Sequence, residues 1–485
     1  MSPEEIARLH QFRDGFTLVD YAEVGLPVFR LTIEAVTTSQ RALPTIQEFV
    51  MRGLALADGQ EAEVARLLGL GPEIVQGAVN VLVSDGLLSR QMGHSGNDAF
   101  KLTELGEKRL ANERQEELRE EMLVVDYDGI RRFPVRLVSS SVRRASELRS
   151  FGAIEIRPYP AEPPSISELS IPEISRVIRR QGGEDFRRTV LALKRVSRRS
   201  NVFREAVALV FASNSGSEIQ IAFAIDGKLS EQHERAFAER GGPKKMGLIK
   251  AVSEGRTRQY LQRVVGREMV KSFPDPNELV EARRQHLAAE SEVRSILPAA
   301  QYKKRSSAAA KALQEANEKL KVAEHSLLSM TTRPLACYEQ QDLLDEAIAN
   351  ATHSLIITSA GVQPLLLNGF RLREIDRLCE SGVDVHVETV LRTPTEPLKG
   401  DKFDPMFELV RRADQKKLSI GRHSRRSLFF LIQDNELAVV ANRPFLGEVN
   451  RRSGFIKLDG LVTRSPQNVQ QIRDALISHK SRTRT

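Results

Sequence analysis

The sequence of 485 residues is poor in the residues that build disulfide-rich, zinc-binding and aromatic-rich proteins. It contains 2 Cys, no Trp and only 5% aromatic residues. The two cysteines, Cys337 and Cys379, cannot form a disulfide framework or a multi-cysteine zinc site. Sparse cysteine is typical of proteins in a reducing compartment, so we expect an intracellular, cytoplasmic protein.

Long apolar runs and familiar catalytic motifs are also missing. No stretch of about 18 consecutive apolar residues occurs, so no transmembrane helix and no membrane partner are expected. The first residues, MSPEEIARLHQFRDGF, carry early acids and lack the apolar centre of a signal peptide, so secretion is not expected. Because the sequence has no G-x-x-x-x-G-K-[ST] loop, HExxH motif or His/Cys cluster, we expect no cofactor and no metal.

The sequence does contain charge and enough apolar residues for several cores. Hydrophobic residues make up 41% and charged residues 28% of the chain, which is typical of a globular protein. At about 150 residues per domain, the length suggests roughly three domains. The formal net charge is +8, with 72 Lys+Arg against 64 Asp+Glu. A basic balance favours a polyanionic partner such as nucleic acid without establishing one.

Residues 46–120 combine helices with a short hairpin. Apolar spacing predicts helices from Ile46 and over EAEVARLLGL, and a third helix that starts at Pro72 and ends at Gly86. The segments LLSRQM and AFKLT predict two strands around a polar tip. This order of two helices, a turn, a third helix and a two-stranded wing resembles the winged-helix family, so we expect a winged-helix domain here.

The resemblance implies that the helix from Pro72 to Asp85 enters the DNA major groove. That helix carries no Lys or Arg, which departs from the usual pattern. Gln76 and Asn80 have the side chains that read adenine edges. Phosphate contacts are expected from residues on the flanking elements, namely Arg52, Arg66, Arg90 and Lys101. The alternative is a winged helix that contacts protein or forms a dimer.

Residues 1–45 are expected to be an N-terminal extension and residues 121–275 a mixed α+β middle domain. Residues 176–204 contain ten basic residues and only two acids, Glu184 and Asp185. The spacing of Phe186, Val190, Leu193 and Val196 predicts a helix with the basic residues on its other face. Two interpretations stay open, a phosphate-backbone contact and a solvated face that is paired with acids elsewhere. The candidate contacts are Arg187, Arg188, Lys194, Arg195, Arg198 and Arg199.

Two further patterns concern packing. Val207, Leu209 and Phe211 are expected to pair with Ile219, Ile221 and Phe223 in an antiparallel hairpin. Residues 276–332 predict a helical hairpin or coiled-coil spacer, with helices over 277–296 and 299–330 broken near Pro298. The second helix carries a heptad seam, which favours packing within the chain over a dimer seam because nearly half of it is Ala. The seam residues are Ala309, Leu313, Ala316, Leu320, Ala323, Leu327 and Met330.

Residues 333–485 alternate helices and strands, which predicts an α/β sandwich with a largely parallel sheet. The blocks SLIITSAG, ESGVDVHV and FFLIQDNELAVVANRPF resemble a phospholipase D-type half-domain. Such domains occur in nucleases and lipid hydrolases and carry a His-x-Lys-x4-Asp motif. The resemblance implies that the His attacks phosphorus, the Lys neutralises phosphate oxygens and the Asp supports the His.

The motif is broken in this sequence. If Asp434 occupies the Asp position, Ser427 replaces the His and Phe429 replaces the Lys. Phenylalanine cannot stabilise a phosphate charge and serine lacks the imidazole, so we predict a catalytically inactive domain. The alternative is a phospholipase D-type nuclease with an atypical site at His423, Arg425 and Asp434. In an inactive domain, arginines would leave either a phosphate-binding cleft or a solvated basic surface, and these are Arg422, Arg425, Arg426, Arg443, Arg451 and Arg452.

These expectations combine into an α/β multidomain protein that associates with DNA and is not an enzyme. The combination resembles bacterial regulators with phospholipase D-like effector domains and accessory proteins of antiphage defence loci, the latter by architecture alone. The expected partners are DNA, contacted mostly through its backbone, and other subunits of a protein complex, with a homodimer as a further option.

Overall fold

The chain folds into two compact units that are each assembled from non-consecutive segments. The computed structural model describes residues 1–57, 59–92, 98–111, 114–179, 188–214, 218–249, 256–302, 307–390, 403–422, 427–447 and 454–482. One unit, here called the terminal unit, comprises Met1–Gly25, Ser146–Ile156 and Glu205–Thr485. The other, the inserted unit, comprises Leu26–Ala145 and Arg157–Arg204. This division differs from the five consecutive segments expected from the sequence.

The first part of the chain supplies most of the inserted unit. Its helices and strands are α1 (Pro3–Leu9), β1 (Phe12–Arg13), β2 (Phe16–Ala42), α2 (Thr45–Leu56), α3 (Glu61–Leu68), α4 (Pro72–Ser84), β3 (Leu88–Met92), β4 (Asp98–Leu102), α5 (Glu104–Ala111), β5 (Arg114–Asp128), β6 (Phe133–Val135), β7 (Val142–Arg143), α6 (Ala145–Ser150), β8 (Ile154–Glu155) and α7 (Ile171–Arg179).

The middle of the chain begins with a long strand and ends with a pair of long helices. Its elements are β9 (Arg188–Ser213), β10 (Ile219–Ile225), β11 (Lys228–Leu229), α8 (Glu231–Glu239), α9 (Gly242–Lys245), α10 (Arg256–Val265), α11 (Arg267–Lys271), α12 (Pro276–Tyr302) and α13 (Ser307–Ser329).

The last part of the chain alternates helices and strands. Its elements are β12 (Thr332–Pro334), α14 (Gln340–Asn350), β13 (Ser354–Thr358), α15 (Gly369–Glu380), β14 (Asp384–Thr389), α16 (Pro405–Asp414), β15 (Ser419–Arg422), β16 (Phe429–Gln433), β17 (Leu437–Ala441), β18 (Gly460–Thr463) and α17 (Pro466–Arg482). Among the described residues, none of these helices is long and apolar enough to cross a membrane. The chain as a whole is a mixed α/β protein with several sheets.

The first 45 residues are not a separate extension, which corrects the expectation. Strand β2 runs through them and pairs antiparallel with β5, from Val28 opposite Asp128 to Ala42 opposite Arg114. Alternate residues of β2, among them Leu31, Ile33 and Ala35, are buried in the core of the inserted unit. The alternation apolar-in and polar-out is the pattern of a strand with one covered face, so these residues belong to the main sheet.

The basic segment is also not the expected helix over its described part. Residues from Arg188 onward form strand β9. Val190, Leu193 and Val196 do contact the core around Leu31 and Leu123, as their spacing suggested. Apolar spacing reports burial, whereas the type of element depends on where the backbone hydrogen bonds go, and here a neighbouring strand receives them. Strand β9 lies beside β2 in the sheet, and the side-chain Oγ of Ser197 also donates to the carbonyl oxygen of Thr32 at 3.0 Å.

The expected hairpin after this strand is present, with a register shifted by one residue. Strand β9 pairs antiparallel with β10, and Phe211 lies opposite Gln220, whereas Leu209 lies opposite Ala222. Val207, Leu209 and Phe211 therefore share a sheet face with alanines, and Ile221 and Phe223 point to the other face. A shift by one residue exchanges the faces because side chains alternate along a strand.

Residues 45–111 form three helices and a two-stranded antiparallel sheet around their own core. Strands β3 and β4 pair from Leu88 opposite Leu102 to Met92 opposite Asp98, and the predicted tip at residues 93–97 lies outside the described residues. The core includes Val50, Leu54, Val64, Val75, Val79, Leu82 and Phe100. Gly106 permits a close approach, since a Cβ there would lie 2.1 Å from the carbonyl oxygen of Leu87.

The sheet of the terminal unit is mixed rather than largely parallel, which corrects the expectation. Its strand order is β12-β18-β17-β16-β13-β14-β15. Strands β13, β14 and β15 are parallel. The remaining pairs are antiparallel. For one of these pairs the reason is local, because the tight Asp434-Asn435 turn joins β16 directly to β17 and so makes them antiparallel.

Helices α12 and α13 form a helical hairpin within the terminal unit. Helix α12 runs through Pro298 to Tyr302, so the expected break at that proline does not occur. A proline removes one internal hydrogen bond, which packing against a second long helix can offset. The seam residues Ala316 and Ala323 are buried, and Lys319 of α13 pairs with Glu292 of α12 at 2.8 Å. The side chain of Ala309 lies outside the described residues.

Candidate functional site

Helix α4 exposes the two amide side chains that were expected to read bases. The helix starts after Gly71 with Pro72 in its first turn, and Val75, Val79 and Leu82 anchor its other face in the core. Gln76 and Asn80 are exposed. Residues four apart share one helix face, so the two amides lie side by side on the surface one turn apart. The geometry is compatible with the base contacts that amide side chains make.

The basic residues that flank α4 fall into two groups. Arg52 pairs with Glu48 at 2.7 Å, and Arg90 pairs with Asp98 across the β3–β4 sheet. Arg66 and Lys101 are exposed and pair with no acid among the residues that the structure describes. Exposed ion pairs contribute about 0–1 kcal/mol, so even the paired arginines can exchange their carboxylate for a phosphate at low cost.

The same helix also exposes apolar side chains. Ile74 is 50% and Val81 45% exposed, and their separation of seven residues places them on one face. Leu67 of α3 is 61% exposed. The acid Glu73 lies in the first turn of α4. A helix surface with apolar groups, one acid and no cation also suits a protein partner.

Some of the basic side chains of strand β9 form ion pairs with acids. Lys194 and Glu120 lie 2.5 Å apart, and so do Arg195 and Glu34. Arg198 and Arg199 are exposed, and within the described part of the chain no acid pairs with them. Arg187 and the side chain of Arg188 lie outside the described residues. Pairing with acids therefore accounts for Lys194 and Arg195, and a phosphate contact stays a prediction for Arg198 and Arg199.

In the terminal unit, Phe429, which the sequence resemblance aligns with a lysine, is part of the core. Phe429, in the first position of β16, is 5% exposed and packs with Leu431 and Ile357. Ser427 is exposed just before the strand. His423, Arg425 and Arg426 lie outside the described residues. An apolar ring buried at this position supplies no charge to a phosphate.

The carboxylate of Asp434 is hydrogen-bonded to backbone N–H groups. It accepts hydrogen bonds from the N–H groups of Thr352, His353 and Ser354 at 2.8, 2.8 and 2.7 Å. Although burial opposes ionisation, these donors lower the pKa of Asp434 to about 2. Asp434 follows β16 and Ser427 precedes it, and the strand between them alone spans roughly 17 Å at about 3.3 Å per residue. The carboxylate thus fixes the start of β13 and does not face the Ser427 position.

Arg443, expected to contact nucleic acid, is buried instead. Its Nη2 donates to Asp20 Oδ1 at 2.6 Å and to the carbonyl oxygen of Ile456 at 2.7 Å. Asp20 is fully buried and also accepts from the N–H groups of Tyr21 and Ile456 at 2.8 Å. The expectation for Arg443 is corrected because a guanidinium paired inside the core cannot reach a phosphate. The signal that sequence reasoning missed is a lone carboxylate in the apolar run TLVDYA.

A second polar cluster escaped sequence reasoning, on strands β14 and β15. His386 Nδ1 lies 2.7 Å from Ser419 Oγ, and its Nε2 lies 3.4 Å from Oε1 of the buried Glu388. Gly421 provides the space for the His386 ring, because a Cβ at this position would lie 3.1 Å from that ring. The signal is the alternation in DVHVET, which puts His386 and Glu388 on one face. Within the described residues, no three His, Cys, Asp or Glu side chains are placed to hold a metal ion.

No protein-family model and no curated protein sequence matches the chain. The archaeal chromatin protein TrmBL2 aligns with 37% of this chain at 14% identity and a TM-score of 0.23, and this chain spans 65% of its length. Nuc from Salmonella typhimurium, a phospholipase D family member, aligns with 28% of this chain and 82% of its own, at 14% identity and a TM-score of 0.20. NucT from Helicobacter pylori aligns with 30% of this chain and 89% of its own, at 11% identity and a TM-score of 0.20. Likenesses this partial assign no family, so function is argued from the residues.

Proposed function

We propose that the protein associates with DNA through its inserted unit and does not hydrolyse phosphodiesters. In this proposal residues 45–111 act as a winged-helix module and residues 333–485 as an inactive phospholipase D-like domain. The accessory role in a bacterial defence system that the architecture suggests stays a prediction, which the neighbouring genes would test.

The observation that carries the inactive half of the proposal is the buried position of Phe429. Phosphoryl transfer needs cationic groups around the phosphate oxygens. Here the lysine position holds an apolar ring inside the core, and Arg443 is neutralised by Asp20. The carboxylate of Asp434, the third motif residue, accepts hydrogen bonds from three backbone amides. Each of these residues therefore stabilises the sheet, and none of them supplies a group that phosphoryl transfer needs.

The DNA half of the proposal is supported by the exposed amides on α4 and the free cations nearby. Gln76 and Asn80 stand one turn apart on an exposed helix face. Arg66 and Lys101, on α3 and β4, provide charge for phosphates. Because α4 itself has no cation, the affinity would come from backbone contacts and depend steeply on salt.

A second candidate function is a protein-docking module, which the exposed Ile74 and Val81 favour. Arg66→Gln combined with Lys101→Gln should weaken DNA binding and leave protein association unchanged. Ile74→Ser combined with Val81→Ser should do the opposite. Gln285→Ala, on the exposed surface of α12, is the matched control for both. If only the serine pair changes duplex affinity, the DNA half of the proposal fails.

Cleavage is tested with plasmid and single-stranded oligonucleotides in the presence of EDTA, because phospholipase D-type chemistry needs no metal. We expect intact substrates after long incubation with excess protein. Cleavage by the wild-type chain that His423→Ala abolishes would establish the atypical nuclease and overturn the inactive half of the proposal.

A further inference from the structure

The terminal unit contains a cavity of about 500 Å³ that no sequence pattern predicted. Helix α1, the helical hairpin α12–α13, strand β12 and helix α14 form its walls. A volume of several hundred cubic ångströms is in the range of small-molecule sites. The lining combines arginines, carboxylates and leucines, so its chemistry depends on which charges are already paired.

Three of the four carboxylates that line the cavity are paired, and the fourth, Glu324 of α13, is exposed. Glu339 accepts from Arg333 Nη1 at 2.7 Å and from the N–H of Ala336 at 3.0 Å. Although burial opposes ionisation, Arg333 and Arg283 lower the pKa of Glu339 to about 2. Glu346 receives both Nη atoms of Arg464, at 2.7 and 2.9 Å. Asp342 pairs with Arg8. Of these acids, only Glu324 has no cationic partner among the described residues, so the other three carry little charge that opposes an entering anion.

Arg283 has spare donors in this cavity. Its Nη2 donates to the carbonyl oxygen of Pro334 at 3.1 Å, and Glu339 lies 3.6 Å away. Nε is buried and has no hydrogen-bond partner among the described residues. A guanidinium has five N–H groups, so most of those of Arg283 are unused. A partly buried arginine with unused donors binds carboxylate or phosphate groups strongly because charge-assisted hydrogen bonds are about twice as strong as neutral ones.

Leucines also line the cavity, next to its charged residues. Leu287 of α12, Leu327 of α13 and Leu343 of α14 line it. We propose that the cavity binds a small organic anion, with its acidic group on Arg283 and a short apolar chain along these leucines. This site belongs to the terminal unit and goes beyond the proposed DNA association, which uses the inserted unit.

The test is isothermal titration of the full chain with four probes, namely inorganic phosphate, acetate, butyrate and hexanoate. We expect the affinity for the carboxylates to rise about fourfold per added methylene, as burial of each methylene in an apolar site predicts. Hexanoate should then bind more tightly than phosphate, which has no chain. Tighter binding of phosphate than of hexanoate, or no binding of any probe at millimolar concentrations, would overturn the proposal.

Three variants locate the ligand. Arg283→Gln should weaken hexanoate binding at least tenfold, while Arg284→Gln, the exposed neighbour on the same helix, should leave it unchanged. Leu327→Ala should weaken hexanoate binding and leave acetate binding unchanged, and it keeps the test informative if Arg283→Gln folds poorly. Equal hexanoate affinity in wild type, Arg283→Gln and Leu327→Ala would contradict the assignment.

Discussion

Single carboxylates hold the sheet of the terminal unit together, and Asp434 is the clearest case. Three backbone donors bind its carboxylate at the start of β13. Its pKa is about 2 against an ordinary 3.8. Because the folded pKa is depressed, the stabilisation is fully present above about pH 4 and is lost as the pH falls from 3.8 toward 2.

We predict that Asp434→Asn lowers the free energy of unfolding by about 2 kcal/mol at neutral pH, since one pKa unit corresponds to about 1.4 kcal/mol. Urea unfolding at pH 7 and pH 3 measures this. The difference between wild type and variant should shrink at pH 3. A difference that is the same at both pH values would show that the charge of Asp434 does not stabilise the fold.

The buried pair of Asp20 and Arg443 gives a second prediction at this scale. Arg443→Met removes the cation and leaves Asp20 charged in the core, which should cost about 3–5 kcal/mol. Adding Asp20→Asn should recover part of that loss because the uncompensated charge disappears. Urea unfolding of the two variants measures both effects. If Arg443→Met costs less than about 1 kcal/mol, Asp20 has found another partner or water, and the pair is not needed for the fold.

At the scale of elements, the cations of strand β9 fall into two groups among the described residues, those that pair with an acid and those that do not. Lys194 and Arg195 are paired with Glu120 and Glu34, whereas Arg198 and Arg199 are exposed without an acidic partner in the described part of the chain. If this strand contacts DNA, the second pair contributes more. Arg198→Gln with Arg199→Gln should reduce the slope of log affinity against log salt by about 2, at roughly 0.9 per phosphate contact.

The matched control is Lys194→Gln with Arg195→Gln, two cations on the same strand that already have partners. We expect the control to change the slope by less than 1. Fluorescence anisotropy of a labelled duplex over a range of salt concentrations gives both values. Equal slopes for the two double variants would mean that ion pairing on β9 does not select the DNA contacts.

Elements differ in how well the sequence predicts them. Helices α2, α3 and α4 are marked locally by Gly69, Pro72 and Gly86, and the structure has helices and turns there. Strand β9 has no such local mark, and the spacing of Val190, Leu193 and Val196 is compatible with either element. Its type is decided by distant strands, which a short stretch of sequence does not contain.

At the scale of the whole molecule, the sequence offers motifs but not the polar clusters. The prediction that Phe429 stands where the resemblance implies a lysine needs only the spacing of a motif, and it stays a prediction. The pairing of Asp20 with Arg443 joins residues more than 400 positions apart in the sequence, and the cavity at Arg283 joins five separate elements. Such contacts arise only when the chain folds back on itself, so periodicity and spacing do not reveal them.

The measurement that tests the account most directly is a salt titration of duplex binding by the full chain, with each sample then run on a denaturing gel. The account predicts that log affinity falls linearly with log salt, that unrelated sequences bind within a few-fold of one another, and that the duplex stays intact. Binding that is insensitive to salt, or the absence of binding at low salt, would contradict the DNA association, and cleaved duplex would contradict the inactive site.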